Sequence, residues 1–478
     1  MLGEVFLQID FLKASVIYFV GNILLKSISF ITLPVFTRLM LPEDYGMYSL
    51  YTASLGILSI FIGLQIQGTV NISYGNKDIK QFESYVANIT LFPLVGTLIG
   101  ILILVVVPTV VKLLEVPSLA FGIMMMIQAF WSIVTSIYQS ELVIKKQPKK
   151  HLIFSIVTTL ANVLFAISFV LVLRENTYLG RVISGVISNA LIGIYICIKF
   201  IPRIDWTTLK KDWYEGLKLS LPLIFHNLSN QILNVADRYM LSAWKGTSEV
   251  AIYSFSYNLG LIINMIWLSI NNAWIPWYFD QLKVKNIFLI KEYSKQYIIF
   301  FIWLTSCFLL VSPELVYLMG GKEYINGIYI VPLIALGYFF VFYYSFYVNY
   351  QFYKQKTNLI PIATMSAAVI NIILNILLIP QLGVMGAALT TAISYFLMLI
   401  FHYIMTSYVL KHRDIPDKYL INSTIFMTII TIIVYFILNQ IIIRCIVLII
   451  AIVIYGVYVL RKVKQFKNIS RSNRRDKR

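Results

Sequence analysis

The chain has 478 residues, of which 59% are hydrophobic and 13% charged, and a formal net charge of +18. That composition excludes a soluble globular protein, because fourteen stretches each reach the roughly 20 mostly apolar residues that a bilayer crossing needs. It also excludes a large extramembrane catalytic domain, since no gap between stretches exceeds about 20 residues.

In chain order the predicted spans cover 11–37, 45–72, 85–110, 119–142, 152–173, 178–200, 216–242, 250–276, 296–319, 328–352, 358–380, 386–409, 419–438 and 441–460. The first is too long for a cleavable signal peptide and runs on into Lys26 and Arg38, so it is expected to remain as a span. Only Asn439 and Gln440 separate the last two.

The positive charge is placed asymmetrically. The loops and adjoining helix ends after the even-numbered spans, together with the tail, hold 29 of the 39 Lys and Arg, and Lys13 adds to the same side. The opposite side holds eight: Arg38, Lys112, Arg174, Arg181, Arg238, Lys245, Lys322 and Arg444. The positive-inside rule reads this as an even number of spans with both termini cytoplasmic. Such a distribution argues against nucleic acid as a partner and for a tail, 461–478, resting on anionic headgroups. Cys197, Cys307 and Cys445 have no metal-ligand spacing, the four histidines do not cluster, and no Walker A loop is present. No metal or cofactor is expected.

Span 7 begins like span 1. At an offset of 205, Leu12-Lys13 falls on Leu217-Lys218, Ser15 on Ser220, Asn22 on Asn227 and Tyr48-Ser49 on Tyr253-Ser254. Both copies enter from the same side, so this is a parallel repeat, with its axis along the membrane normal; chance similarity of amphipathic helix starts is the alternative. The expected fold class is an all-α polytopic membrane protein of about fourteen transmembrane helices, two pseudo-symmetric six-helix lobes plus two C-terminal helices. The lobes are 1–200 and 216–410, joined by a cytoplasmic linker at 201–215; spans 13–14 occupy 411–460 and the basic tail 461–478.

At 100° per residue, Ser15, Asn22, Lys26 and Ser29 share one face of span 1, while Asn227, Asn230, Gln231, Asn234 and Arg238 form a narrow stripe on span 7. Unsatisfied polar groups are costly in lipid, so such stripes are expected to face a protein interior or cavity. Lys26 is the sharpest signal, a mid-span lysine that costs about 2.5–3.5 kcal/mol to insert. Either it lines a substrate cavity or it pairs with an acid, Asp237 or Glu141 being the main candidates. Asp237-Arg238 reads equally as an interfacial pair and as an arginine oriented by the acid toward an anionic headgroup. Arg38 and Arg181 read as interfacial anchors, and Trp274, Pro276 and Trp277 as an interfacial belt. Asn371 and Asn375, one turn apart on span 11, and Asn162 on span 5 are expected to bond neighbouring helices. Gln65, Gln67, Asn71, Asn264, Asn271 and Asn272 are further candidates for cavity lining.

Three segments carry a family resemblance: LPVFTRLMLPEDYGMYSL (33–50), ADRYML (236–241) followed by VAIYSFSYNLG (250–260), and INIILNILLIPQLGVMGAALTTAISY (370–395). They resemble the bacterial polysaccharide flippases, the O-antigen and capsule repeat-unit translocases of Wzx type, within a superfamily of multidrug, oligosaccharidyl-lipid and polysaccharide exporters. The resemblance runs over essentially the whole chain. It implies a non-enzymatic flippase of the bacterial cytoplasmic membrane that moves an undecaprenyl-diphosphate-linked oligosaccharide from the inner to the outer leaflet by alternating access. It further implies membrane lipids, a glycan polymerase and a chain-length regulator as partners. In that reading Lys26 and Arg238 meet diphosphate oxygens, with Asp237 orienting the arginine. The Asn and Gln side chains (Asn22, Asn227, Asn230, Gln231, Asn234) meet sugar hydroxyls.

Two relatives of that class compete with it. A drug/cation antiporter would want buried carboxylates, and span 1 carries a lysine and no acid. A lipid II-type peptidoglycan-precursor flippase also handles a diphosphate, so the polar residues separate it poorly. A membrane glycan polymerase would be expected to carry a large outer catalytic loop, and the outer loops here are short.

Overall fold

The structure, a computed structural model, describes residues 21, 24, 25, 27, 28, 30–107, 118–356 and 359–475. Asn22 and Lys26, and most of span 1, lie outside the described residues.

Every regular element described is helical. The helix α1 (Phe30–Leu39) precedes α2 (Pro42–Gly63), a 3-10 turn (Ile66–Gly68) and the short α3 (Thr69–Tyr74). Next come α4 (Ile79–Val106), α5 (Leu119–Ile144), α6 (Pro148–Val172) and α7 (Thr177–Phe200). A second 3-10 turn (Ile201–Arg203) leads to α8 (Leu209–Lys245) and α9 (Thr247–Lys283). The chain continues through α10 (Ile287–Gly320), a 3-10 stretch (Lys322–Tyr329), α11 (Val331–Tyr353) and α12 (Leu359–Leu382). It closes with α13 (Val384–Ile404), a π-helical turn (Met405–Val409), α14 (Asp417–Ile437) and α15 (Ile441–Arg475).

Among the described residues, twelve helices are long and apolar enough to cross a membrane: α2, α4 to α7 and α9 to α15. Span 7 is present as the unbroken 37-residue α8, but its polar stripe keeps it out of that set. Of span 1 only the ten-residue α1 is described as an apolar helix. Apolarity therefore supports twelve crossings, and the expected fourteen depends on span 1 and α8.

Boundaries follow local chemistry. Asp78, Ser118 and Asn286 cap α4, α5 and α10 by accepting from the backbone N–H of Gln81, Phe121 and Leu289. Prolines sit in the first turn of α2, α6 and α11, where no intrahelical donor is lost. After α5, α9 and α11 the chain turns the same way. A left-handed Lys146, Lys285 or Gln355 bonds back to Val143, Leu282 or Phe352, and the next residue bonds one step further back. Glycine is the usual occupant of such a position; here long polar side chains take it.

The contacts divide the chain into two compact units, Met1–Ser254 with Thr364–Gly383, and Phe255–Ala363 with Val384–Arg478. The cuts fall inside α9 and α12. The core of the first unit joins Ile62 and Ile66 to Phe82, Tyr85 and Val86 of α4 and to Ile133, Val134 and Ile137 of α5. Helices approach closely through glycine. A Cβ on Gly46 would lie 1.9 Å from the Thr247 carbonyl oxygen, and one on Gly96 2.3 Å from that of Ile62. In the second unit α11 is the central post, 94% of its apolar window being buried. Phe301 stacks on its Phe342 at 4.0 Å between centroids. Trp274 packs within this unit against Tyr297 (5.3 Å) and Phe346 (5.5 Å), and α9 runs on past it to Lys283. The last helix is held along one face. Arg444 donates to Glu314 through both terminal nitrogens (2.5 and 2.6 Å), Tyr455 stacks on Trp303, and Lys462 pairs with Glu292 at 2.8 Å.

Gly46→Ala should destabilise the fold by about 1–3 kcal/mol, because a backbone carbonyl cannot swing aside as a side chain can. Gly75→Ala meets nothing within 4 Å and should be silent. Thermal unfolding of the purified variants in detergent measures both.

Candidate functional site

The site is built on α8. Its stripe of Asn227, Asn230, Gln231, Asn234 and Arg238 follows a helical face because the residues recur at three- and four-residue intervals. The structure places these side chains in different surroundings, all within the first unit.

At one end Asn227 donates from Nδ2 to Gln65 Oε1 at 3.2 Å and to its own helix at Leu223 O (3.0 Å). Gln65 also accepts from Gln67 Nε2 at 3.1 Å. Gln65 reaches this position because α2 stops at Gly63: Leu64 (φ 44°) and Gln65 (φ 57°) are both left-handed before the 3-10 turn begins. Non-glycine residues in this region cost about 1–3 kcal/mol each and concentrate at functional sites. The sequence predicts one continuous span over 45–72. The break went unforeseen because neither Gly nor Pro occupies 64–65.

One turn further along, Gln231 lies on Gly56 of α2. A Cβ at Gly56 would fall 2.1 Å from its Nε2. Asn234 is exposed and donates to Asn230 O at 2.7 Å, and Arg238 is half-buried. The next residue, Tyr239, shares a hydrogen bond with Ser54 of α2 at 2.5 Å.

Asp237 points the other way and is 1% exposed. Its carboxylate accepts from Asn375 Nδ2 of α12 at 2.7 Å and from the Tyr253 hydroxyl of α9. Asn375 gives its second amide proton to Asn371 Oδ1 at 2.9 Å. So the expected helix-bonding role of the Asn371–Asn375 pair is present, with Asp237 as its target. Tyr253 is the donor that sequence reading passed over, although it is one of the residues matched by the repeat. The described bonds thus make Asp237 a clasp between three helices.

The repeat has a counterpart in the contacts. Ser49 Oγ lies 2.6 Å from Ser254 Oγ, and Ser248 Oγ donates to Glu43 Oε1 at 2.7 Å, both pairs 205 residues apart.

Other candidates are accounted for separately. Glu141, offered as a partner for Lys26, is committed to Lys145 (2.6 Å) and Arg203 (2.8 Å). Arg181 is stacked over the rings of Phe36 (3.7 Å) and Tyr48 (4.3 Å), a cation–π arrangement. Asn162 donates to Ser188 Oγ at 3.2 Å. In the second unit Asn271 accepts from Asn349 at 3.1 Å. The 201–215 linker is ordered: Asn88 of α4 grips Asp205 O, Thr208 Oγ1 and Asp212 Oδ2 at 2.7–3.1 Å, and Lys77 pairs with Glu215 at 2.8 Å.

The described helices form a multi-helix membrane fold in which the polar face of α8 packs on α2 where that helix breaks. Solved structures share this fold. An inward closed conformation of the lipid II flippase MurJ matches with a TM-score of 0.72 and 16% identity, over 92% of this chain and 99% of that one. An inward-facing multidrug resistance MATE transporter of the MOP superfamily matches with a TM-score of 0.64 and 12% identity, over 81% and 94%. The model of the family "Polysaccharide biosynthesis protein" matches residues 11–282, and the chain belongs to that family. A Staphylococcus aureus relative, the capsular polysaccharide biosynthesis protein CapF, is 23% identical over 407 residues, 80% of this chain and 96% of that protein. The chain is accordingly a member of a polysaccharide-biosynthesis family that has the fold of those membrane proteins.

Asn375→Ala should lower thermal stability by about 1–3 kcal/mol, since it deprives a buried carboxylate oxygen of a donor. Asn234→Ala should leave stability unchanged, its side chain being exposed. Parallel melting curves of the two variants check the contrast.

Proposed function

We propose that this protein moves a polyprenyl-diphosphate-linked oligosaccharide, an undecaprenyl-linked repeat unit for a surface polysaccharide, from the inner to the outer leaflet of the bacterial cytoplasmic membrane. The observation that carries the reading is the polar face of α8. It presents neutral amides, with Asn227 and Gln231 set against a broken α2, while the one acid beside it, Asp237, is drawn into the helix clasp. Amides donate and accept, so they exchange partners readily with sugar hydroxyls. Lys26 and Arg238 supply the cations for a diphosphate, by charge-assisted bonds. The lipid tail stays in hydrocarbon, and only the headgroup needs a hydrated path.

Transport proceeds by rocking of the two repeat lobes, 1–200 and 216–410, about the axis near which Ser49 meets Ser254. An inside-negative potential assists outward movement of an anion by about 2.3 kcal/mol per charge per 100 mV. Both termini lie in the cytoplasm in this account, and a glycan polymerase and chain-length regulator receive the product on the far side. The fold shared with the lipid II flippase MurJ supports a second reading, a peptidoglycan precursor as cargo.

The test is the lipid content of a strain deleted for the chain. A completed oligosaccharide on a polyprenyl diphosphate should accumulate, and mass spectrometry should show the wild type clearing it. Lys26→Ala should fail to clear it while remaining in the membrane at normal level. A mass equal to the peptidoglycan precursor selects the second reading, and absence of any such species overturns both. Arg238→Lys should reduce clearance more than Lys210→Arg at the linker, because a single ammonium cannot reproduce the guanidinium fork. Equal clearance by the two variants would remove Arg238 from the substrate path.

A further inference from the structure

We propose that the groove between α6 and α7 is a binding site for an anionic phospholipid of the surrounding membrane, with Lys150 and Lys199 holding the phosphate. The groove has a volume of about 590 Å³ and is lined by Ile153, Phe154, Val157, Leu191 and Tyr195, with the two lysines and Tyr138 at one end. That end is common to the close of α5, the start of α6 and the close of α7, where the charge asymmetry places the cytoplasm. The walls are apolar and open outward: Ile153, Val157, Leu191 and Tyr195 are each more than half exposed. From Lys150 to Thr158 the groove follows α6 for about 12 Å at 1.5 Å per residue. That is most of the depth of one leaflet, about 15 Å. Such a slot suits an acyl chain.

The charged end is built rather than incidental. Lys199 Nζ donates to Tyr138 Oη at 2.6 Å and lies 4.6 Å over the same ring. Tyr138 is buried and fixed edge-on by Phe154 (5.0 Å) and Phe200 (6.0 Å). An ammonium has three protons, so two remain for a ligand. Neighbouring cations at this end have carboxylates: Lys145 has Glu83 and Glu141, Arg203 has Glu141, Lys77 has Glu215. Among the described residues no carboxylate lies within 4 Å of Lys150 or Lys199. Two cations over an apolar slot complement a phosphate that carries hydrocarbon tails. Bulk phospholipid is the favoured occupant over the polyprenyl carrier by mass action, being present in great excess at a groove open to the bilayer. The groove also involves none of the α8 stripe.

Native mass spectrometry of the full-length protein, delipidated and titrated with phosphatidylglycerol or with phosphatidylcholine of the same chains, tests this. Wild type should bind phosphatidylglycerol at least tenfold more tightly. Lys150→Gln/Lys199→Gln should weaken it about 30-fold, at roughly fivefold per lysine, with phosphatidylcholine binding unchanged. Lys150→Arg/Lys199→Arg should retain it. If the double glutamine variant does not fold, the exposed Lys150→Gln alone should show the fivefold loss. Unchanged phosphatidylglycerol binding in the glutamine variants overturns the proposal. So does displacement of phosphatidylglycerol by equimolar undecaprenyl diphosphate through the same two lysines, which would give the groove to the substrate's carrier.

Discussion

A carboxylate buried among apolar helices has to be surrounded by donors, and the first compact unit is organised around one that is. Asp237 on α8 accepts a hydrogen bond from Asn375 on α12 and another from Tyr253 on α9, and Asn371 holds Asn375 in turn. Loss of any of these donors would strand charge in a medium of low dielectric. The clasp fixes the rotation of α8 about its axis. With Asp237 turned inward, the residues one to three turns earlier, Asn234, Gln231 and Asn227, are set on a neighbouring face. The polar stripe therefore has a direction because the acid has a partner.

The same unit shows why its helices lie so close. Gly46 and Gly96 meet backbone carbonyls at distances no side chain would allow, and Gly56 makes room for the Gln231 amide. Small residues replace the hydrophobic effect as the means of association, since lipid offers apolar side chains nothing less favourable to leave. Near Gly46 the equivalent serines of the repeat, Ser49 and Ser254, touch. Close approach, the matched serines and the polar stripe thus coincide on α2, α8 and the start of α9. The second unit differs in character: an aromatic post, α11, is buried on nearly all sides, and a peripheral helix, α15, is fastened at Arg444, Tyr455 and Lys462.

How much of this was legible beforehand depended on the kind of signal. Long apolar runs declare themselves, and the helices of twelve crossings follow them closely. The α8 stripe was visible from its spacing, yet its polarity removes the helix from any count based on apolarity. The break at Leu64–Gln65 was hidden, because its left-handed residues are not the glycines that announce such a turn. Asn375 was recognised as a helix-bonding residue, but its partner 138 positions away leaves no local trace. The ring partners of Arg181 were hidden too, since Phe36 and Tyr48 come from two other helices.

The central claim is that the chain itself carries a lipid-linked oligosaccharide across the bilayer. The most direct measurement reconstitutes the purified protein in sealed vesicles with lipid-linked oligosaccharide extracted from the deletion strain, present in both leaflets. A membrane-impermeant oxidant such as periodate then reports how much sugar faces outward over time. The account predicts that vesicles containing the protein expose the whole pool, while protein-free vesicles protect their inner half. Protection of the inner half in the presence of folded protein would contradict it.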